Sequence, residues 1–271
     1  NGKIHIHSGV GNLGTYSYAA TSRVVAEVLK CDWEQCVIER GDSRRNLPWN
    51  IGQFGSNTSF TMSRSNHAAA MDLKQKLLSI AAMKYGGEDQ DYAIDGQKVY
   101  KKGNEPKSIS YAKAAIRAIE IGGKFDGHVI PSDINDMTRN SVEAIKGSGL
   151  IGVAKDNYPI SGTPPALAAG FMMIELDKET GKFEILEYNG VIDCGTVIHP
   201  MGLASQVKGG AVMGIGLAHL ERLVYDPQNG LPANVFLYES KPPTYLDVPS
   251  KLGSDAVDIP DPQNPVGVRG M

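Results

Sequence analysis

Beyond residue 90 the apolar strands of this chain come in pairs joined by short polar turns, and that pairing constrains the fold more than any other feature. "DYAIDGQKVYKK" reads as a hairpin with Asp95-Gly96 at its turn, a dipeptide that suits type I′ geometry. "AAGFMMIELDKETGKFEILEYNGVIDCG" reads as two long strands joined by a tight turn from Asp177 to Gly181. Antiparallel strands tolerate such turns, whereas parallel neighbours need helical crossovers. A doubly wound parallel sheet is therefore disfavoured. Helices and hairpins occupy separate stretches, which points to an α+β fold of mixed and antiparallel sheets with packed helices.

The opening segment pulls the other way. "KIHIHSGVGNLGTYSYAATSRVVAEVLK" runs from a strand, Lys3–Ser8, through Gly9-x-Gly11-x-x-Gly14 into a helix from about Thr15 to Leu29. Tyr18, Val25, Val28 and Leu29 share one face of that helix, and "CVIER" supplies a second strand ending near Glu39. This is the outline of a nicotinamide-dinucleotide fingerprint, but Glu39 lies farther past Gly9 than the roughly 20 residues usual for a ribose contact. The βαβ pattern also stops there. An NAD-binding dehydrogenase domain stays as an alternative. The chemistry of the turn outlasts that objection, because glycines let backbone N–H groups reach a ligand and a helix N-terminus favours an anion. A phosphorylated ligand is expected, with a purely structural glycine turn as the plainer alternative.

A second long helix is expected over Asn66–Tyr85, with Ala70, Leu73, Leu77 and Ile80 as its core stripe and Gly86-Gly87 as its stop. "SYAKAAIRAIEIGG" is a shorter helix closed in the same way. From there to about Ala166 the chain is loop-rich, which divides it into parts 1–125 and 126–271, separate or intertwined. The last helix, within "HPMGLASQVKGGAVMGIGLAHLERL", carries Gly209, Gly210, Gly214 and Gly216. Each glycine costs a helix about 1 kcal/mol relative to alanine, so a close approach by a backbone or a ligand is expected there. Tight helix–sheet packing is the structural alternative.

Composition removes whole classes of function. With 41% hydrophobic and 21% charged residues the chain is a folded globular protein, and a net charge of −3 disfavours general nucleic-acid binding. No apolar run is long enough to span a bilayer and no signal peptide opens the chain, so a cytoplasmic protein without a membrane partner is expected. Cys31, Cys36 and Cys194 form neither a C-x-x-C pair nor an even set, and read as reduced thiols rather than cluster ligands. His5, His7, His67, His128, His199 and His219 lack metal-ligand spacing; His5 and His7 read as solvated on one strand face. Neither terminus resembles a natural start or finish, so a subunit or segment of something larger is expected.

Three stretches taken together resemble the molybdenum-cofactor subunit of the molybdenum hydroxylases, the xanthine dehydrogenase and aldehyde oxidoreductase family. They are "GKIHIHSGVGNLGTYSYAATSRVVAEVL", "GQFGSNTSFTMSRSNHAAA" and "VIDCGTVIHPMGLASQVKGGAVMGIGLAHLE". The third is the most specific, similar to the family's Asp-x-Gly…Asn-Pro…Gln-x-x-Gly-Gly…Gly-x-Gly segment. The resemblance spans nearly the whole chain and corresponds to the second half of the family's molybdopterin region.

The resemblance implies molybdopterin, in its plain or cytosine-dinucleotide form, held by Gly14, Thr15, Gly55, Ser56, Asn57, Thr58, His199 and Gln206. Thr15 stands where many members have Gln, His199 where Asn is common, and Lys208 where an acidic residue is frequent. It implies hydroxylation of an aromatic N-heterocycle or an aldehyde with water as the oxygen source. Iron–sulfur clusters and FAD would sit on partner chains or domains, alongside the other half of the molybdopterin subunit and a small organic substrate. The family's base is a glutamate in a Gly-Glu-Pro motif; "GVRGM" resembles the approach to it, which places that Glu beyond Met271. No residue here is assigned as catalytic or as a metal ligand. A scaffold that has lost the cofactor is the third alternative.

Overall fold

The computed structural model describes residues 2–156, 158, 160–162 and 165–270. Two units emerge from it, one formed by residues 2–162 with the returning segment 260–270, the other by Pro165–Ile259.

In the first unit, β1 (Ile4–His7) and β2 (Cys36–Glu39) pair in parallel, with Ile4 opposite Cys36 and His7 opposite Glu39. Helix α1 (Ser17–Leu29) makes the crossover. The alternation of β1 sends Ile4 and Ile6 into the core and leaves His5 and His7 on the other face. Those histidines are not simply solvated. His5 Nδ1 lies 2.9 Å from Glu39 Oε1, and the other Glu39 oxygen takes Arg45. Both carboxylate oxygens of Glu39 are thus engaged within the protein, which removes it as a ribose ligand.

Helix α2 (Thr58–Tyr85) is 28 residues long and begins eight residues before the apolar stripe suggests. Ala70, Leu77 and Ile80 are buried and Leu73 packs against the same cluster, as the periodicity requires. The added N-terminal turns are polar yet interior. Ser63, Arg64 and Asn66 are all buried, and Asn66 Nδ2 donates to the Thr21 carbonyl of α1 at 3.0 Å. The segment 260–270 folds back onto these turns, where Asn264 Nδ2 reaches Phe60 O and Ser63 Oγ.

A three-stranded antiparallel sheet covers the rest of the core: β3 (Tyr92–Asp95), β4 (Lys98–Lys101) and β5 (Asn104–Ser110). The hairpin's two-residue loop is Gly96-Gln97, both at positive φ, one position later than Asp95-Gly96. Positive φ at both central positions is what a type I′ turn demands, and Gly96 eases it. Helices α3 (Tyr111–Ile121) and α4 (Asp136–Ile145) follow; α4 falls inside the stretch expected to be loop, started by the Asn135 side chain accepting from Thr138 N–H.

The second unit is a mixed sheet in the order β6-β7-β8: β6 (Leu167–Leu176) antiparallel to β7 (Phe183–Asp193), and β7 parallel to β8 (Lys251–Ala256). The expected turn from Asp177 to Gly181 joins the first pair. Helix α5 (Pro200–Ile215) precedes a π turn over Gly216–Leu220 and the short α6 (Leu237–Ser240). A β-carbon on Gly190 would press on Val207, so this glycine lets α5 lie against the sheet. Among the described residues no helix is long and apolar enough to cross a membrane.

Burial holds the His7 pKa below its ordinary value, with Glu39 pulling the other way. The unfolded chain therefore takes up that proton first, and stability falls as pH drops through the unfolded value. Thermal unfolding followed between about pH 7 and 5 should show this loss. His7→Asn should flatten part of the slope.

Candidate functional site

The glycine-rich loop after β1 and the loop before α2 are built against each other. A β-carbon at Gly9 would overlap the Pro48 carbonyl oxygen, so only glycine lets the two backbones pass this closely. Gln53 then clamps them from both ends of its amide: Oε1 accepts from Leu13 N–H at 3.0 Å and Nε2 donates to Ser17 Oγ at 2.8 Å. Within its own loop, Asn12 Oδ1 accepts from Gly14 and Tyr16 N–H, shaping the turn into α1. Gly270 completes the floor, sitting where a β-carbon would overlap the Ser56 carbonyl oxygen.

This packing brings the starts of α1 and α2 to one rim of the first unit. Neither helix has a side-chain cap bond from its N-cap residue, and neither has an acid in its first turn. Uncapped N–H groups and the positive end of each helix dipole make such termini anion sites. Arg40 adds a cation nearby, its guanidinium 3.6 Å from the centre of the Tyr18 ring in the first turn of α1.

Gly14, Thr15, Gly55, Ser56, Asn57 and Thr58 all lie on this rim. Gly14 and Gly55 have positive φ and open space where a β-carbon would project. Ser56, also at positive φ, is exposed. Thr15 Oγ1 lies 3.2 Å from Ser17 Oγ, and Thr58 is buried with its hydroxyl 3.3 Å from Asn57 Oδ1. His199 and Gln206 belong to the second unit. His199 is the N-cap of α5, its Nδ1 accepting from Gly202 N–H at 2.8 Å. Gln206 is exposed two turns along the same helix face. Of the four glycines, none meets another backbone: Gly209, Gly210 and Gly214 face open space, and Gly216, which opens the π turn, is approached by the side chains of Pro243 and Glu221 instead. Among the described residues no group of three His, Cys, Asp or Glu side chains is placed to hold a metal ion.

Sequence reasoning missed Gln53 and Asn12, the two amides that set the loops. Their signal was faint: a long amide between Gly52 and Gly55, and an Asn inside a Gly-x-x-Gly turn.

Residues 1–249 match the molybdopterin cofactor-binding domain. The chain belongs to that family. Similar curated proteins include the nicotine 6-hydroxylase large subunit of Paenarthrobacter nicotinovorans, 25% identical over 270 residues that cover 100% of this chain and 30% of the relative. The xanthine dehydrogenase molybdenum-binding subunit of Escherichia coli O157:H7 is 25% identical over 275 residues, covering 100% and 33%. Among solved structures, quinoline 2-oxidoreductase from Pseudomonas putida 86 superposes with a TM-score of 0.70 at 22% identity, covering 97% of this chain and 30% of that one. This molybdopterin cofactor-binding domain thus spans about a third of the length of the relatives it matches, and the last of them shares its fold.

The rim suits molybdopterin, a flat, polar, phosphorylated group that needs many donors without bulk. It offers uncapped N–H groups, hydroxyls, an amide and open glycines, with no acid in the first turns to repel an anion.

The loop packing is expected to be intolerant. Gly9→Ala should cost about 1–3 kcal/mol by overpacking, and Gln53→Ala about 1–2 kcal/mol by losing two hydrogen bonds, both read by chemical denaturation. At His199, replacement by Ala should cost about 1 kcal/mol as a lost cap, whereas His199→Asn should hold the thermal midpoint near wild type.

Proposed function

We propose that this chain is the molybdopterin-binding portion of an oxidoreductase that hydroxylates an aromatic N-heterocycle or an aldehyde, with water as the oxygen source. The observation that carries it is the rim where two glycine-rich loops, clamped by Gln53, set two uncapped helix N-termini side by side. Nicotine and quinoline, named in two of the relatives, are both nitrogen heterocycles, which favours that substrate class.

When bound, the cofactor supplies the metal-centred redox chemistry. This chain's residues bind and orient. Thr58 and its neighbours in the first turn of α2 offer backbone N–H groups to the phosphate, and Arg40 adds positive charge. Gly14 and Gly55 allow backbone to approach the flat ring, and Thr15, Ser56 and Asn57 offer side-chain partners. Buried polar atoms of such a ligand cost about 1–3 kcal/mol each if left unpaired, which explains a loop set rich in Gly, Ser, Thr and Asn. His199 and Gln206, on α5, are proposed as pterin contacts on the strength of the sequence resemblance alone.

The partners proposed are the other half of the molybdopterin subunit, an iron–sulfur subunit that takes the electrons and a flavin subunit, in the cytoplasm. Strand β6 supports a large protein partner. All ten of its residues are exposed, and Leu167, Phe171, Met172, Met173, Ile174 and Leu176 stand in water on both of its faces. A strand apolar on both faces reads as one meant for burial on both.

A preparation of this chain with its natural neighbours should hold molybdenum and pterin in near-stoichiometric amounts. Metal analysis finding neither would leave the cofactor-less scaffold instead. A sharper variant is Asn57→Asp. An acid at this N-cap should stabilise α2 by about 0.3–1 kcal/mol while repelling an anionic ligand. The thermal midpoint should rise slightly as pterin content drops. Both moving together would argue against phosphate binding at this helix.

A further inference from the structure

The second unit is short of interior. Among its described residues the buried apolar side chains are Ile192, Cys194, Ala211, Ile215 and Pro249, and none of them comes from β6. A small unit is stable only when it buries more than about half of the surface its unfolded chain exposes. Something outside the unit has to supply the rest.

The two edges of its sheet are finished differently. Strand β8 is short and carries Lys251 and Asp255, with Lys251 Nζ 3.7 Å from Glu187 Oε2 on β7. Short, charged edges resist pairing with another chain. Strand β6 is ten residues long, has no proline and holds a single charge, Glu175. Its outer edge has no paired strand among the described residues. Side chains alternate along a strand, so Phe171 and Met172 point to opposite faces, yet they are 68% and 47% exposed. Glu175 stands directly opposite Glu184, and neither carboxylate has an ion-pair partner among the described residues. Like charges placed this way are destabilising.

We propose that β6 is the docking site for the other half of the molybdopterin subunit, which adds a strand along the free edge, covers both faces and sets a Lys or Arg beside Glu175. This rests on the reading above that such a half belongs beside this chain. A second copy does not fit. Two copies paired through β6 about a twofold axis would leave both faces of each strand in water, and β6 has no Lys or Arg to offer Glu175. An iron–sulfur or flavin subunit fits less well, because electron-transfer contacts are the small class, below about 1,200 Å² in total. A strand bare on one edge and two faces resembles a domain core cut in half, the mark of obligate association. The chain spans 30% and 33% of two curated relatives, so those proteins carry the further chain that closing such a surface requires.

The assembly of this chain with its natural neighbours is the material for the test. Benzoylphenylalanine placed at Met172 should, on illumination, link to a peptide of the other half of the subunit, mapped by mass spectrometry. A link to a second copy, to an iron–sulfur or flavin subunit, or to nothing would overturn the proposal. Glu175→Lys tests the charge. It should raise the thermal midpoint of the chain alone, because the pair with Glu184 becomes attractive. It should also weaken the hold on the other half about tenfold, read by dilution, through a new like-charge contact. Unchanged or tighter association would overturn the proposal. Metal analysis of the same preparation keeps the two readings apart. Linked halves without molybdenum would leave the docking site standing and remove the cofactor, whereas loaded but unlinked halves would do the reverse.

Discussion

Arg64 is only 3% exposed, so its guanidinium has to find its partners inside the protein. Nε sits 2.6 Å from Asp156 Oδ2, Nη1 donates to Gln263 O at 2.7 Å, and Nη2 donates to Asp156 and to Tyr158 O. A buried charge left unpaired is costly by several kcal/mol. Residues 64, 156, 158 and 263 are therefore obliged to meet at one point. Asn264 adds a second tie to the same turns through Phe60 O and Ser63 Oγ. The N-terminal turns of α2 act as a polar hub, whereas its C-terminal turns are an ordinary apolar helix face.

The rim inherits its shape from that hub. Because 260–270 is held against α2, Gly270 lies against Ser56, and the loop that starts α2 is fixed from below. Gly9 does the same from the side of β1. Two glycines without positive φ thus matter as much as those that have it, since what they provide is distance between backbones rather than an unusual turn.

The sequence made the apolar half of this architecture readable and hid the polar half. The stripe through Ala70, Leu77 and Ile80, the double-glycine stops and the Asp177–Gly181 turn are local patterns with local causes. The start of α2 is hidden because "TSFTMSRSN" has no apolar period; Ser63, Arg64 and Asn66 go inside only because distant groups satisfy them. β5 contains Pro106 and charged residues and is exposed along its first four positions, so it lacks any alternation to detect. α4 buries only Ser141 and Val142, too little for a stripe. The return of 260–270 to the first unit is a long-range fact that no window of residues contains. The loop residues of the candidate site were named from the resemblance, whereas the amides that hold those loops in place are visible only in three dimensions.

The cap on α5 has one more consequence. Because Gly202 donates to His199 Nδ1, that nitrogen carries no proton, and in the neutral ring the hydrogen must reside on Nε2. The imidazole is locked in one tautomer. An asparagine in this place would do the same two things, accepting inward through its oxygen and donating outward through its nitrogen. The exchange of one residue for the other therefore keeps the polarity of this helix face while extending its reach toward whatever lies in front of it.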